Sequence, residues 1–177
     1  MLEAVKLEPD NLNMRYTLAC IYRDSARPDE ALAQYQLLLN SRVDYPNVYN
    51  DLGDIYFQQS KFQQAQEAYL KEAGYDRQRL RVSEHDIVTL NDLAYALNGA
   101  GDSSEAKELI DKAIAISPGY RQAYLTLAKI HEKNNRPEEA IRALQKSKEL
   151  SKELSKETNF IDREINRLKS KPAAKIQ

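Results

Sequence analysis

The residues best suited to catalysis or metal binding are few in this chain. His85 and His131 are its two histidines, and Cys20 is its single cysteine. Neither histidine belongs to a cluster with metal-ligand spacing or to a visible nucleophile–base arrangement. One cysteine can form no internal disulfide, and the sequence has no glycine-rich phosphate loop. The sequence therefore predicts no catalytic residue, no cofactor and no metal site.

A polar pair in front of a leucine, Asn-Asp-Leu, is the stronger functional signal. It occurs in VYNDLGDIYFQQ, which begins at Val48, and in TLNDLAYALNGA, which begins at Thr89, 41 residues later. An asparagine amide donates and accepts, so it matches the N–H and C=O groups of a peptide backbone. Asn50 and Asn91 hold equivalent places and could hold an extended chain at two points. The alternative is that they are solvated polar residues on an exposed helix face.

The composition excludes several classes of protein and favours helices. The 26 basic and 27 acidic residues nearly balance, whereas nucleic-acid binding usually goes with a basic excess. No apolar run is long enough to cross a membrane, and the N-terminus lacks a signal-peptide pattern. Glycine and proline are scarce, and apolar residues recur every three or four positions. We expect a soluble, nearly all-helical protein or fragment. The cytoplasm is favoured, and a periplasmic or membrane-associated parent stays open.

Four segments of the chain repeat one pattern of small and large residues. Each has a leucine followed by a small residue, and an alanine thirteen positions after that leucine. The leucines are Leu18, Leu52, Leu93 and Leu127, and the alanines are Ala31, Ala65, Ala106 and Ala140. The alanines are 34, 41 and 34 residues apart. Small residues let two helices approach closely, so the pattern predicts stacked pairs of helices.

These features resemble the tetratricopeptide repeat, a helix–turn–helix unit of about 34 residues. YNDLGDIY at 49–56 with AQEAY at 65–69, and NDLAYALNGAGDSSEAKELIDKAIAISP at 91–118, carry the resemblance, which covers about residues 1–150. It implies an all-α solenoid, a right-handed superhelix of antiparallel helix pairs. Four positions depart from the family pattern and put local packing there in doubt: Arg15, Glu72, His131 and Ser147.

The repeat register divides the chain into predicted segments. They are a second-helix remnant at 1–10, repeats at 12–45, 46–85, 86–119 and 120–153, a capping helix at 154–171 and a disordered tail at 172–177. The chain would thus start within a repeat, as a fragment of a longer protein. The second repeat carries a seven-residue insertion within residues 73–86. Its last helix either runs past Gly74 or stops there, and Ser83 with Asp86 predicts that the next helix starts near Glu84.

The region after the fourth repeat leaves three arrangements open. Residues 147–170 form either one continuous helix or two helices with a bend near Thr158-Asn159. Ile161, Ile165 and Leu168 would lie on one face of the capping helix. A coiled-coil partner helix is the third possibility, because Leu154, Ile161 and Leu168 are seven residues apart.

The resemblance also implies a concave groove, lined by the first helix of each repeat, that holds a peptide or partner helix. The candidate binding residues on that face are Tyr16, Asn47, Asn50, Asp51, Asp54, Phe57, Asn91, Asp92, Tyr95, Asn98, Lys129 and Lys133. The aspartates favour a basic or neutral ligand, and the two lysines make the C-terminal end more positive. One subtype grips a C-terminal carboxylate through a lysine and an asparagine, but Tyr16 and Cys20 stand in those places. The arginines around Leu80 either contact phosphate or an acidic partner, or form a solvated loop.

The sequence therefore predicts a non-catalytic scaffold that binds a protein or peptide ligand, with neither nucleic acid nor a membrane span. Two alternatives stay open. The chain could be a regulatory or substrate-presenting arm of a larger enzyme or assembly. It could also self-associate as a homo-oligomer through the open stacking end of its N-terminal half-repeat.

Overall fold

A computed structural model describes residue 8 and residues 11–41, 45–151 and 155–170. These residues form helices and turns, with no strand among them, which confirms the expected all-α fold. The helices are α1 (Leu12–Asp24), α2 (Pro28–Asn40), α3 (Val48–Gln58), α4 (Phe62–Val82), α5 (Ile87–Ala100), α6 (Ser103–Ile116), α7 (Arg121–Lys133), α8 (Pro137–Leu150) and α9 (Ser155–Ser170). The chain forms two compact units, Met1–Glu72 and Ala73–Gln177. Apart from Glu8, the predicted half-repeat at 1–10, its stacking end and the tail at 172–177 lie outside the described residues.

Local sequence signals set the ends of several helices. The side chain of Asn11 accepts a hydrogen bond from the backbone N–H of Met14 at 3.1 Å and so caps α1. Asp102 caps α6 in the same way, through the N–H of Glu105 at 3.0 Å. Helix α2 begins at Pro28, where a missing N–H is tolerated. The ordinary rules of helix capping thus place these boundaries.

Helix α3 obtains its N-terminal cap from a distant residue. Its N-cap position, Asn47, has a left-handed backbone and makes no side-chain cap of its own. The carboxylate of Glu72 on α4 instead accepts hydrogen bonds from the N–H groups of Asn47 at 3.2 Å and Tyr49 at 3.1 Å. Glu72 is only 1% exposed. Its departure from the family pattern is therefore explained, because a small residue in its place would leave those donors without this acceptor.

The small residues of the repeated pattern are buried, as their role in helix packing requires. In the first unit, Ala19 and Ala31 are fully buried beside Leu18 and Leu52. Gly53 is required by close contact: a Cβ atom there would lie 2.6 Å from the Cε1 atom of Tyr69.

In the second unit, alanines again lie between larger apolar side chains. Ala94 and Ala106 are buried with Leu93 and Leu97 in one cluster. Ala128 and Ala140 are buried in a second cluster, which includes residues of α9. The repeated small residues therefore mark the core of this unit too.

The seven-residue insertion extends α4 as a helix. This helix runs past Gly74 to Val82, which is the first of the two predicted arrangements. The next helix, α5, begins at Ile87, so the predicted start near Glu84 is wrong by three residues. The reason is that Asp86 itself is the N-cap, and its carboxylate accepts from the N–H of Val88 at 3.2 Å. The sequence does contain an N-cap for this helix, but the capping residue is Asp86 and not Ser83.

The arginines of the insertion make ion pairs within the second unit. Arg77 forms a salt bridge with Glu105 at 2.7 Å, and Arg79 pairs with the fully buried Asp76 at 2.6 Å. Arg81 is exposed near the end of the helix. Two of the three guanidinium groups are thus bound to carboxylates of this chain.

Residues 147–170 belong to two helices, the end of α8 and the whole of α9. Helix α8 ends at Leu150 and α9 begins at Ser155, so the break comes before the predicted bend near Thr158-Asn159. Ile161, Ile165 and Leu168 are buried against α7 and α8 residues, on the face that the sequence predicts. That these contacts end the repeat array as a cap stays a prediction, and Leu154 of the coiled-coil alternative lies outside the described residues.

Candidate protein-binding face

Asp51 lies at the centre of a buried polar network in the first unit. The hydroxyl of Tyr35 donates to one carboxylate oxygen at 2.9 Å, and the guanidinium of Arg23 donates to the other. The Tyr35 hydroxyl also lies 3.6 Å from the Sγ atom of Cys20. The Tyr35 ring packs edge-on against the ring of Tyr16. Burial raises the pKa of Asp51 to about 6, against the opposing effects of Arg23 and Tyr35. The carboxylate is therefore satisfied inside the unit.

The other predicted residues of the first unit differ in exposure. Asn50 is 4% exposed, and its amide donates to the Oδ1 atom of Asn47 at 3.1 Å. The Oδ1 atom of Asn50 is buried, and no described residue donates to it. Asp54 is half-buried and accepts a hydrogen bond from the Tyr69 hydroxyl at 2.6 Å. Only Phe57, which is 58% exposed, presents a large surface to solvent.

Asn91 and Asn98 are structural contacts in the second unit. The Thr126 hydroxyl donates to the Oδ1 atom of Asn91 at 2.8 Å, which joins α7 to α5. The amide of Asn91 donates to Asp92 at 3.1 Å. Asn98 accepts from the hydroxyl of Ser103 at 2.9 Å, across the turn between α5 and α6. Both asparagines are buried, so their amides face protein groups.

The two predicted lysines have different roles. The ammonium of Lys133 donates to the backbone carbonyls of Asn98 and Gly99 at the C-terminal end of α5. A cation there interacts favourably with the helix dipole, and burial lowers the pKa of Lys133. Lys129 instead donates to the hydroxyl of Tyr95 at 2.9 Å and lies 4.3 Å from the centre of its ring. Lys133 therefore stabilises a helix end, and Lys129 is paired with Tyr95.

A pocket of about 210 Å³ lies between α7 and α9 in the second unit. Lys129 and Tyr95 form part of its rim. Its lining residues are Tyr95, Gln122, Leu125, Thr126, Ala128, Lys129, Glu132, Leu144, Phe160, Glu164 and Leu168. The pocket lies on the first helix of the fourth repeat, the kind of helix that the sequence predicts to carry binding residues.

Helix α9 forms one side of this pocket, and Arg167 ties it to α7. The guanidinium of Arg167 makes two hydrogen bonds to the carboxylate of Glu132, at 2.8 and 2.7 Å, and two to the Oε2 atom of Glu164, at 2.9 and 2.7 Å. These bonds raise the pKa of Arg167 further above its usual range. The two-pronged contact fixes both the distance and the orientation between the helices. Sequence reasoning did not assign these α9 residues to a binding site, because it considered this helix as a cap or as a coiled-coil partner.

The structure therefore groups only some of the predicted binding residues. Tyr95 and Lys129 meet at the pocket, whereas Lys133 binds backbone carbonyls. Asn50, Asp51, Asn91 and Asn98 are buried. Tyr16, Asn47, Asp54 and Asp92 are half-buried, and Phe57 is exposed.

The described residues contain no group of three or more histidine, cysteine or acidic side chains that could bind a metal ion. His131 is half-buried, and burial lowers its pKa. No helix in the described ranges combines the length and apolar character that a membrane span requires.

Successive helices packed through buried small residues define a helical-repeat protein. Tetratricopeptide repeat models match residues 16–78 and 97–150. The chain belongs to the tetratricopeptide repeat family, whose fold is a protein-interaction scaffold.

Three solved structures share this fold at low sequence identity. The thermophilic tetratricopeptide protein TTC0263 of Thermus thermophilus is 15% identical to this chain, and the two superpose with a TM-score of 0.60. The match covers 89% of this chain and 80% of that chain. Yeast Tom70 is 21% identical, with 94% of this chain and 34% of that chain covered, at a TM-score of 0.53. The APC/C hetero-tetramer Cut9–Hcn1 is 16% identical, with coverages of 87% and 29% and a TM-score of 0.52. At these identities the likeness is one of fold.

Proposed function

We propose that this chain is a non-catalytic scaffold that binds a segment of a partner protein on the first-helix face of its second unit. The observation that carries the proposal is the pocket between α7 and α9. It is concave and combines apolar walls with a few polar groups, which is the usual character of a binding site. Of the structural relatives, Cut9 is found in an assembly with another protein, Hcn1. A binding role of that general kind suits the pocket.

Asn50 and Asn91, which the sequence predicts to hold an extended peptide, differ in whether their Oδ1 atoms already accept a hydrogen bond. The Oδ1 atom of Asn50 has no donor among the described residues, but it is buried within the first unit and is closed to a ligand N–H. The Oδ1 atom of Asn91 already accepts from Thr126 and would have to release that hydroxyl. We therefore expect Asn50→Ala to leave ligand binding at the pocket unchanged, whereas Asn91→Ala affects it only through Thr126, which lines the pocket.

Selection from a randomised peptide library displayed on phage tests the proposed function. Clones are selected on the wild-type protein and then compared on Leu125→Lys, which places a charge in the pocket wall. Leu150→Lys is the matched control, because Leu150 lies in the same unit but does not line the pocket. Far-UV circular dichroism checks that both variants remain folded.

We expect clones that bind the wild type and the control but lose at least tenfold in affinity on Leu125→Lys. Clones that bind all three proteins equally would place the binding face elsewhere. Failure to enrich any clone would count against the peptide-binding role itself.

A further inference from the structure

The walls of the α7–α9 pocket are mainly hydrocarbon. Leu125 and Ala128 contribute from α7, Leu144 from α8, and Phe160 and Leu168 from α9. Ala128, Leu144 and Leu168 are buried members of one apolar cluster, while Phe160 is 50% exposed. A half-exposed phenylalanine beside a cavity leaves apolar surface in water that a ligand could cover. A polar side chain that entered would find few hydrogen-bonding partners on these walls.

The charged groups at the rim are already engaged with one another or with a tyrosine. Glu132 and Glu164 both accept hydrogen bonds from Arg167. The ammonium of Lys129 is bound to the hydroxyl and the ring of Tyr95. A charged ligand side chain would therefore lose hydration and compete with existing contacts for its counter-charge. Charge complementarity favours an uncharged occupant.

The size of the pocket limits what it can hold. Its volume of about 210 Å³ lies below the roughly 300–1,000 Å³ that is typical of sites for drug-sized ligands. One large side chain suits that volume, whereas a cofactor or several residues of a peptide would exceed it. The remaining contacts of a partner segment would then lie outside the pocket.

We infer that this pocket is the anchor site for one large, uncharged apolar side chain, of the leucine, methionine or phenylalanine type, presented by a segment of the partner protein. The inference rests on the proposed function and makes it more specific, since it names the chemistry of the anchor. It also makes α9 a part of the binding site, because Phe160 and Leu168 line the pocket together with Leu125.

Nuclear magnetic resonance titration with blocked amino acids tests the anchor without a known partner. The probes are N-acetyl-leucinamide and N-acetyl-phenylalaninamide. The matched controls are N-acetyl-glycinamide, which lacks a side chain, and the N-acetyl amides of glutamate and lysine. We expect the two apolar probes to shift the backbone resonances of Leu125, Ala128 and Leu168. Their affinity should exceed that of the glycine control by about tenfold, the gain from burying one large apolar side chain.

Variants and salt provide the remaining controls. Leu125→Lys should abolish the shifts, and Phe160→Ala should weaken binding of the apolar probes severalfold. Phe62→Ala, which truncates an exposed phenylalanine of the first unit, should leave binding unchanged. The apparent affinity of the leucine probe should change less than twofold between about 50 mM and 500 mM salt, because no ligand charge takes part.

The inference is overturned if the glutamate or lysine probe binds as well as the leucine probe, or if no probe shifts the pocket resonances. These failures differ from failure of the proposed function. If library clones depended on Leu125 but carried a charged anchor residue, the proposed function would stand and the inferred anchor chemistry would be refuted. If the apolar probes bound the pocket but the library yielded no binding peptide, the anchor chemistry would stand and the peptide-binding role would be refuted.

Discussion

Removing the carboxylate of Glu72 should destabilise helix α3, although Glu72 lies on a different helix. In the folded protein this side chain accepts hydrogen bonds from the N–H groups of Asn47 and Tyr49. Hydrogen bonds to a charged group contribute about 1.5–3 kcal/mol each, and loss of one partner leaves the other with its desolvation cost. A negative charge at a helix N-terminus adds about 0.3–1 kcal/mol through the helix dipole. The cost of burying the carboxylate opposes these gains.

From these contributions we expect Glu72→Ala to lower the free energy of unfolding by about 2–4 kcal/mol. Glu72→Gln keeps one acceptor oxygen and loses the charge, so a decrease of about 1–2 kcal/mol is expected. Glu67 on the same helix is exposed, and Glu67→Ala and Glu67→Gln are therefore the matched controls. Their effects should stay within about 0.5 kcal/mol of the wild type.

Urea denaturation followed by circular dichroism measures the loss of stability, and hydrogen exchange shows where it occurs. The amides of Val48–Gln58 should exchange faster in Glu72→Ala than in the wild type, with the largest change in the first turn. If Glu72→Ala were as stable as Glu67→Ala, the remote cap would contribute nothing and this reasoning would be wrong. Equal loss of protection in all helices would also contradict it, since the cap acts on one helix.

Three further predictions follow from single buried contacts. Gly53→Ala should lower stability by about 1–3 kcal/mol in thermal denaturation despite the better helix propensity of alanine, because the Tyr69 ring must move; an unchanged melting temperature would contradict this. The fold raises the pKa of Asp51 from 3.8 to about 6, so the folded protein favours the protonated carboxyl group. The stability that this group contributes is therefore fully present below pH 3.8 and is lost as the pH rises through 6. Asp51→Asn should flatten that part of the pH–stability curve, by up to about 3 kcal/mol, and an unaltered slope would show that Asp51 is not the group responsible. Ser147→Ala should stabilise the protein by about 1 kcal/mol, because the buried hydroxyl has no hydrogen-bond partner among the described residues; a decrease in stability would instead indicate a bond to that hydroxyl.

The fold could be predicted because helix packing leaves a regular mark on the sequence. Ala94 and Ala106 must be small wherever two helices approach closely, and their spacing repeats with the structural unit. Helix starts were predictable to within a few residues where the cap is local. At α5 the signal was read from Ser83, whereas Asp86 makes the cap. Ser83 and Asp86, three positions apart, can each serve as an N-cap, and only the backbone geometry chooses between them.

The binding face was less predictable, because it depends on which polar groups find partners inside the fold. Asn91 looks available in the sequence, but Thr126 of the next repeat donates to it. The pocket depends on α9, whose Phe160 and Arg167 lie far along the chain from Leu125. Arg167 lies 35 residues after Glu132, close to the interval of one repeat, and Thr126 lies equally far after Asn91. The repeat register therefore places α9 beside α7, but it does not reveal that the contact between them leaves a pocket.

The remote cap of α3 also bears on how the chain folds during synthesis. Asn11, Asp86 and Asp102 cap helices that begin at the next residue. The N-terminal cap of each of these helices is therefore available as soon as the helix leaves the ribosome. Asn47 emerges 25 residues before Glu72, an interval of roughly one to five seconds at about 5–20 residues per second. During that interval α3 has its apolar face but not its cap. The first unit therefore cannot reach its final set of contacts until α4 is made, however early α1 and α2 pair.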